Sequence, residues 1–387
     1  MNYEVLEKKY GTPLYIFDCD KIKERIKSMK TIFKNIEICY AIKANSFVVK
    51  EIINDVDRLE ICSNGEYEIC KSLNIDDNKI VLSGVNKSLE DFENIIKENK
   101  KILRFTIESI NQFEMLKKLT EKYQTNIKIL PRITSGNQFG ITKEELEFII
   151  KNKNDFMNVV GIEYFSGTQK HSMKRIIKEF EKIKSNIDEV EEKYNICLEE
   201  IEYGTGFPVY YFIDETFDEN EFFVEFNKNI NEFFKGKKII LEIGRSLVAS
   251  SGVYLTKIVD LKENKTGKYA ILDGGINHLV YYGGTMGMRI PHYEILNKEN
   301  IGEDIINLYG SLCTINDVLV KNLQVPTLDI NDVFIFKNVG AYSVTEGISL
   351  FLSRDLPKVL LISNNEEILV RDSLNTYKLN CPMYKGE

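Results

Sequence analysis

The sequence predicts an α/β fold in which a (β/α)8 barrel of the TIM type is followed by a second, mostly antiparallel β domain. Over the first two-thirds of the 387 residues, eight short apolar runs alternate with charged segments of helical periodicity. Eight successive βα units favour a closed barrel over an open doubly wound sheet. After about Ser246 the chain changes to β-rich runs between Gly, Asn and Asp turns. We therefore predict a barrel over residues 20–245 and a β domain over residues 246–387 that also includes residues 1–19.

Local sequence patterns give the individual elements. The barrel strands are apolar runs bounded by turn residues, at 39–43, 58–63, 80–84, 104–109, 127–133, 159–165, 200–206 and 239–244. Helical periodicity predicts helices between them at 65–73, 89–99, 111–123, 143–152, 174–194 and 219–234. The strands expected in the β domain are 252–261, 268–273, 317–320, 332–336, 358–363 and 367–371.

Composition excludes several classes of protein. The net charge of −8 and the pI near 5.3 argue against a nucleic-acid partner. No apolar stretch approaches the roughly 20 residues of a membrane span, and the N-terminus lacks the pattern of a signal peptide. Seven scattered cysteines indicate reduced thiols, and three histidines without ligand spacing argue against a metal site. We expect a cytoplasmic protein without a membrane partner.

Lys43, in the segment YAIKAN, lies at the carboxyl end of the first predicted barrel strand. Residues at these strand ends form the active sites of such barrels. A lysine buried there among apolar neighbours would have a lowered pKa and could attack an aldehyde. The alternative is an ordinary lysine that reaches into solvent from the end of a strand.

The ends of the later strands carry groups that suit an aldehyde cofactor with a phosphate. The sequence Gly204-Thr205-Gly206 can direct backbone N–H groups at a phosphate, although such a turn is common. Thr168 and Arg245 can add hydrogen bonds. Glu242 can pair with the nitrogen of a pyridine ring, and the alternative for this residue is a salt bridge to Arg245.

The order of the motifs resembles the fold type III decarboxylases that depend on pyridoxal 5'-phosphate (PLP), the group of diaminopimelate, ornithine and arginine decarboxylases. The motifs span nearly the whole chain: YGTPLYIFD, YAIKAN, SNGEYE, SGVNKS, SGTQ, GTGFP, EIGRSLVASSG, LDGGIN, GSLCTINDVL and GAYS. The resemblance implies a covalent bond between Lys43 and the cofactor and an acid, Cys313, supplied across the interface of a homodimer with shared sites. The other cofactor-binding residues that it implies are Phe165, Thr168, Gly204, Gly206, Glu242, Gly244, Arg245 and Tyr342.

Two positions depart from the family pattern. Phe165 occupies the place of the ring-stacking residue, which is usually histidine. Thr314 replaces the acidic residue that recognises the distal ammonium group in diaminopimelate decarboxylases. The SGTQ and Cys-Thr sequences, and the segment GGINHLVYYGG, look closer to the decarboxylase of glutamyl carrier protein in butirosin biosynthesis. Asn277 and His278 of that segment, together with Thr314, are the candidate substrate-binding residues.

The predicted function is therefore PLP-dependent decarboxylation, at the α-carboxylate, of a small-molecule amino-acid substrate that is free or tethered to an acyl carrier protein. Three alternatives remain open. The first is diaminopimelate decarboxylase of lysine biosynthesis. The second is an amino-acid racemase on the same barrel, against which Glu242 argues because that chemistry pairs the pyridine with arginine. The third is a catalytically silent PLP-binding homologue.

Overall fold

A computed structural model describes residues 1–98, 102–281 and 287–383. Residue 99 of a predicted helix, residues 282–284 of GGINHLVYYGG and residues 384–387 of the predicted β domain lie outside the described residues. The chain forms two compact units. The β unit comprises Met1–Ile22, Val209–Phe217 and Leu247–Glu387, and the barrel unit comprises Lys23–Pro208 and Asp218–Ser246. The segment Val209–Phe217 gave no sequence signal that would separate it from the barrel.

The barrel unit contains parallel strands, numbered here along the whole chain. They are β2 (Glu37–Ala41), β3 (Arg58–Ile61), β4 (Ile80–Leu82), β5 (Arg104–Ile107), β6 (Ile127–Pro131), β7 (Met157–Val159), β8 (Gly161–Phe165), β9 (Glu200–Gly204) and β10 (Lys238–Ile243). The order of hydrogen-bonded neighbours is β7-β6-β5-β4-β3-β2-β10-β9-β8. A bridge between Arg132 and Glu163 closes the ring. The predicted barrel is confirmed, and its sixth strand is divided at Val160 into β7, which pairs with β6, and β8, which pairs with β9.

Helices lie between these strands. They are α2 (Cys19–Ile32), which begins in the β unit, α3 (Val49–Ile52), α4 (Asn64–Ser72), α5 (Leu89–Glu98), α6 (Ile110–Tyr123), α7 (Lys143–Asn152), α8 (Met173–Tyr194) and α9 (Glu219–Phe233). Side-chain caps mark the starts of several of these helices: the Ser63 hydroxyl accepts from Glu66 N, and Thr142 and Glu145 form a reciprocal capping box. Helix α8 buries Ile176, Phe180, Ile183, Ile187 and Val190, which recur at helical spacing.

The interior of the barrel contains both charged and apolar side chains. At the amino end, Arg58 and Arg104 form ion pairs of 3.1 and 2.6 Å with Glu200. A small apolar cluster of Cys39, Val81 and Ile240 lies within the barrel. Buried charges are stable only when they are paired or when they change protonation state. The buried acidic residues nearer the carboxyl ends of the strands therefore have altered pKa values, as described below.

The β unit is a mixed sheet. Its strands are β1 (Leu14–Asp18), β11 (Gly252–Asn264), β12 (Gly267–Leu272), β13 (Tyr293–Ile295), β14 (Asp304–Tyr309), β15 (Val318–Val325), β16 (Val333–Lys337), β17 (Lys358–Ser363) and β18 (Glu366–Arg371). The order is β15-β14-β12-β11-β1-β17-β18, with β16 also on β11 and β13 on β16. Most pairs are antiparallel as predicted, but β1 with β17 and β12 with β14 are parallel. The short strands β13 and β14 were not predicted.

Short helices and an apolar core complete the β unit. The helices are α1 (Tyr3–Tyr10), α10 (Arg245–Val248), which begins in the barrel unit, α11 (Ser343–Glu346) and α12 (Tyr377–Asn380). The core contains Leu14, Ile16, Leu255, Ile335 and Leu360. Strand β1 is central in the sheet, which explains why the N-terminal residues belong to this unit. In the part of the chain that the structure describes, no helix has the length and apolarity needed to cross a membrane.

Candidate active site

Lys43 lies just beyond the carboxyl end of β2, on a single 3-10 turn formed by Ile42–Ala44. Its Nζ donates to Glu60 Oε2 at 2.8 Å and to Glu242 Oε1 at 3.3 Å. The two carboxylates are 3% and 6% exposed, whereas the Lys43 side chain is 36% exposed. The amine is therefore reachable from solvent while both acidic partners lie beneath it.

The electrostatic environment of Lys43 differs from the predicted one. The sequence predicted apolar neighbours and a lowered pKa. Burial does lower the pKa of Lys43, but Glu60 and Glu242 outweigh it and hold the pKa well above its usual value. Burial raises the pKa of Glu60, but Lys43 and the hydrogen bonds from Cys62, Lys43 and Ser83 together outweigh it and lower the pKa. The Lys43 amine thus carries a proton in this arrangement, and Glu60, at hydrogen-bond distance, is a group that can accept it.

Glu60 and Cys62 are functional candidates that the sequence reasoning missed. Both lie on or just after β3, which pairs with β2, and Ala41 is directly opposite Glu60. The Cys62 thiol donates to Glu60 Oε1 at 2.8 Å and lies 3.6 Å from Lys43 Nζ. Alternation along residues 58, 60 and 62 would have shown that Glu60 and Cys62 share one face with Arg58.

Phe165 and Gly204 form a close contact at the ends of β8 and β9. A Cβ atom added to Gly204 would lie 2.3 Å from Phe165 Cδ2, so only glycine leaves room for the ring. Arg132 Cζ lies 5.7 Å and Lys170 Nζ lies 5.8 Å from the centre of the Phe165 ring. The aromatic ring is thus held against backbone and lies near two cationic groups, which suits an apolar face that supports a flat ligand.

The turn Gly204-Thr205-Gly206 is fixed by its neighbours. Gly206 has φ +55°, and a Cβ there would lie 2.2 Å from the carbonyl oxygen of Gly167. The backbone N–H of Thr205 donates to the carbonyl oxygen of Glu242 at 3.2 Å. The turn therefore requires glycine at position 206, and its backbone path is set by close contacts with neighbouring segments.

Arg245 and Thr168 are brought together as predicted for phosphate ligands. Arg245 Nε donates to Thr168 Oγ1 at 3.3 Å. Gly244 connects the end of β10 to Arg245. Glu242, the residue for which a salt bridge to Arg245 was the alternative, instead contacts Lys43. Burial, and after it the Glu60 carboxylate, raises the pKa of Glu242.

Glu163 and Glu202 are two further buried carboxyls in the barrel. Both oxygens of Glu163 and Oε1 of Glu202 have no hydrogen-bond partner among the described residues. Burial raises the pKa of Glu202 to about 8 and raises that of Glu163 well above its usual range. At neutral pH Glu202 is therefore largely protonated, whereas Glu163 has Arg132 Nε at 3.6 Å as an ion-pair partner.

The remaining predicted residues lie in the β unit. Cys313 is exposed and Thr314 is half-buried on the loop after β14. Asp317 supports this loop, because its carboxylate accepts from Leu312 N at 2.7 Å and from Ile276 N at 2.8 Å. Asp317 was not singled out from the sequence, although it lies within GSLCTIND.

Three more candidates have defined surroundings in the β unit. Asn277 and His278 are 2% and 3% exposed, and Asn277 Nδ2 lies 3.1 Å from His278 Nε2. The other ring nitrogen of His278 is 2.9 Å from the Tyr254 hydroxyl, and burial lowers the pKa of His278 to about 4. Tyr342 has a strained backbone, with φ +68°. Their roles toward a substrate or cofactor stay predictions.

The barrel residues fit pyridoxal phosphate. The cofactor needs an amine for its aldehyde, a carboxyl for its ring nitrogen, a face for its ring and donors for its phosphate. A connected set of contacts supplies these groups: Lys43 with Glu242, Glu242 with Thr205, Gly204 with Phe165, and Arg245 with Thr168. At Gly204 and Gly206 the Phe165 ring and the Gly167 carbonyl oxygen occupy the space of a Cβ, so the two glycines allow the ring and the turn to pack closely.

Comparisons with known proteins agree with this site. The family described as "Pyridoxal-dependent decarboxylase, pyridoxal binding domain" matches residues 19–249. The chain therefore belongs to the pyridoxal-dependent decarboxylases. It is an enzyme, a PLP-dependent decarboxylase acting on an amino acid.

Individual relatives cover almost the whole chain. Diaminopimelate decarboxylase of Methanocaldococcus jannaschii is 27% identical over 96% of this chain and 91% of the relative. The decarboxylase of L-glutamyl-BtrI acyl-carrier protein from Niallia circulans is 26% identical over 95% and 92%. The crystal structure of diaminopimelate decarboxylase from Helicobacter pylori complexed with L-lysine superimposes with a TM-score of 0.85, at 25% identity and 98% coverage of each chain.

Proposed function

We propose that this decarboxylase removes the α-carboxylate of an amino acid whose side chain does not end in an ammonium group, and that the substrate is free or tethered to a carrier protein. The observation that carries the proposal is Thr314. This neutral side chain follows Cys313, where diaminopimelate decarboxylases have an acidic residue. A distal ammonium group would find no carboxylate at this position, and an unpaired buried cation is costly.

Lys43, Glu60 and Glu242 carry the chemistry in the barrel unit. Lys43 binds the cofactor aldehyde, and Glu60 accepts the proton that the Lys43 amine must lose first, across their 2.8 Å contact. Glu242 holds a proton on the pyridine nitrogen, and its raised pKa favours sharing of that proton. When bound, pyridoxal phosphate supplies an electron sink for the electron pair that departing CO2 leaves at Cα. Phe165 supports the ring, and Thr168, Gly206 and Arg245 bind the phosphate.

Cys313 is the proposed donor of the proton that Cα receives after CO2 has left. Its side chain is exposed in the β unit, and the Asp317 carboxylate fixes the loop that carries it. The family resemblance supports a homodimer in which Cys313 belongs to the site of the partner subunit. A thiol carries a proton that it can donate to a carbanion, so Cys313 can serve as this acid.

Diaminopimelate decarboxylase is the second candidate. It is supported by the relatives from Methanocaldococcus jannaschii and Helicobacter pylori, the latter complexed with L-lysine. The relative from Niallia circulans, whose named substrate is a glutamyl carrier protein, supports the first candidate at similar identity. Identity alone does not separate the two, so the residue at position 314 decides our preference.

The test is CO2 release from diaminopimelate, lysine, glutamate and glutamyl carrier protein by the wild-type enzyme and by Thr314→Glu. We expect the wild type to prefer a substrate without a distal ammonium group. Thr314→Glu should add weak turnover of lysine or diaminopimelate, because it supplies a carboxylate for the cation. Ile315→Glu is the matched control: Ile315 is 89% exposed and the change adds the same charge one residue further on. Efficient turnover of diaminopimelate by the wild type would refute the proposal in favour of the second candidate.

A cytoplasmic location is also proposed. It is supported by the cysteines, all seven of which are described and none of which forms a disulfide bond. Reduced thiols are usual in the cytosol, where glutathione and thioredoxin systems prevent disulfide formation.

A further inference from the structure

Lys170 is a second buried lysine in the barrel unit, and its amine is fully hydrogen-bonded. The side chain is 4% exposed. Nζ donates to Glu179 Oε2 at 3.0 Å, to the Tyr203 hydroxyl at 3.0 Å and to the carbonyl oxygen of Gly204 at 3.1 Å. An ammonium group has three N–H donors, so these three acceptors use all of them. The arrangement is specific for the protonated amine.

Two of the contacts of Lys170 reach the glycine turn directly. Its side chain binds the carbonyl oxygen of Gly204, and its backbone N–H donates to the carbonyl oxygen of Gly206 at 2.8 Å. The methylene groups of Lys170 lie beside Gly206, since a Cβ added to that glycine would be 3.1 Å from Lys170 Cγ and Cε. One residue therefore holds both ends of the turn and packs beneath it.

Glu179 extends this support to the neighbouring segment. Its carboxylate accepts from the Ser166 hydroxyl and from the Tyr203 hydroxyl, each at 2.6 Å. Ser166 directly precedes Gly167 and Thr168, and the Gly167 carbonyl faces Gly206. The pair of Lys170 and Glu179 thus fixes both backbone segments that the cofactor phosphate would contact.

A role in folding alone is a poor explanation for this pair. Burying two charges costs about as much as their attraction returns, and apolar residues of similar size are often equally stable. A methionine at position 170 would fill the same space without the charge. The ammonium group, by contrast, offers what an anion needs: a positive charge close behind backbone that faces it.

We propose that Lys170 is a positioning residue that fixes Gly204-Thr205-Gly206 as a phosphate cradle and places a positive charge behind it, so that the enzyme selects the phosphorylated cofactor over unphosphorylated pyridoxal. The inference rests on the proposed assignment of this turn to the phosphate. It goes beyond that assignment because Lys170 acts from behind the turn.

Selection of the phosphate should weaken at alkaline pH. Burial lowers the pKa of Lys170 to about 8, against the opposing effect of Glu179. The charged or titratable groups that face it are Glu179 and Arg175 on α8, Tyr203 on β9 and Glu242 on β10. Below this pKa the amine is charged and makes three hydrogen bonds; above it one donor and the charge are lost. The cofactor phosphate is already a dianion above about pH 7, since its second pKa is near 6.

The experiment measures the dissociation constants of pyridoxal 5'-phosphate and of pyridoxal by absorbance titration of the cofactor-free enzyme. Comparing the ratio of the two constants between enzyme variants cancels the aldehyde chemistry at Lys43 and the internal hemiacetal that free pyridoxal forms, so that it isolates the effect on the phosphate. We expect Lys170→Met to reduce the preference for the phosphorylated form at least about tenfold, the loss typical of a charged hydrogen bond. Lys178→Met, an exposed change on α8, the helix that carries Glu179, should leave the preference unchanged. As the pH rises from about 7 to about 9, the preference of the wild type for the phosphorylated form should decrease, whereas the preference of Lys170→Met should not change.

The outcomes separate the inference from the proposed site. A wild-type enzyme that binds both compounds equally would show that the turn is not a phosphate site, and the proposed assignment would fail first. If the wild type strongly prefers the phosphorylated form and Lys170→Met keeps that preference, the role of Lys170 alone would be overturned. The same holds if Lys170→Met weakens the binding of both compounds by the same factor. If Lys170→Met does not fold, the wild-type pH profile decides: a constant preference through pH 8 overturns the inference.

Discussion

The contact between Phe165 and Gly204 gives the sharpest structural prediction. In Gly204→Ala the new Cβ would lie 2.3 Å from Phe165 Cδ2, whereas carbon atoms in ordinary contact are about 3.5–4.0 Å apart. The ring must therefore move by more than about 1 Å away from the backbone. Overpacking of this kind costs about 1–3 kcal/mol. If the overpacking raises the free energy of the cofactor-bound enzyme by this amount relative to the free enzyme, cofactor affinity falls by roughly 5- to 150-fold.

A double-mutant cycle tests the cause of this loss. Cofactor affinity is measured by absorbance titration for the wild type, Gly204→Ala, Phe165→Ala and the double variant. Because removal of the ring removes the clash, the double variant should show little further loss beyond Phe165→Ala, with a coupling energy of about 1–3 kcal/mol. Gly65→Ala is the control, since its Cβ would meet only Ser63 Oγ at 3.8 Å. Equal effects of Gly204→Ala with and without the ring would refute the reasoning.

Three further predictions address charge and subunit organisation. Glu242→Gln should still bind cofactor but should release CO2 about 10² times more slowly or worse, because a preorganised charge is lost; retained turnover would contradict the role of Glu242. The pKa of Glu202 is about 8 against an ordinary value of 4.5. The free energy of unfolding should therefore fall by up to about 5 kcal/mol as the pH rises from about 4.5 to about 8. Denaturant unfolding of Glu202→Gln should lack that decline, and an unchanged pH dependence would argue against a protonated Glu202. Finally, mixing inactive Lys43→Ala and Cys313→Ala subunits should restore roughly a quarter of wild-type activity if sites are shared in a dimer, and no recovery would argue against shared sites.

The barrel was predictable because its eight strands carry strong local patterns and because active sites of such barrels lie at one end. Closure of the barrel then explains why Lys43 contacts both Glu60 and Glu242. Strand β2 pairs with β3 on one side and with the last strand, β10, on the other. Glu60 and Glu242 consequently flank Lys43, although Glu242 is 199 residues away in sequence.

Other features depend on side-chain packing that no local pattern reveals. The raised pKa of Lys43 was mispredicted because the acidic neighbour Glu60 was not assigned to the inner face of β3. Lys170 and Asp317 act by supporting loops from behind, and their importance depends on hydrogen bonds to backbone atoms. The parallel pairing of β1 with β17 joins strands from opposite ends of the chain, a pairing that sequence periodicity does not define.

The most direct test of the account is to locate the covalent bond between enzyme and cofactor. The purified enzyme, loaded with pyridoxal 5'-phosphate, is reduced with borohydride, digested and mapped by mass spectrometry. We expect the cofactor on Lys43, and Lys43→Ala should lose both the adduct and the visible absorbance of the lysine-bound cofactor. An adduct on any other lysine, including the buried Lys170, would contradict the assignment of the active site to the carboxyl end of β2.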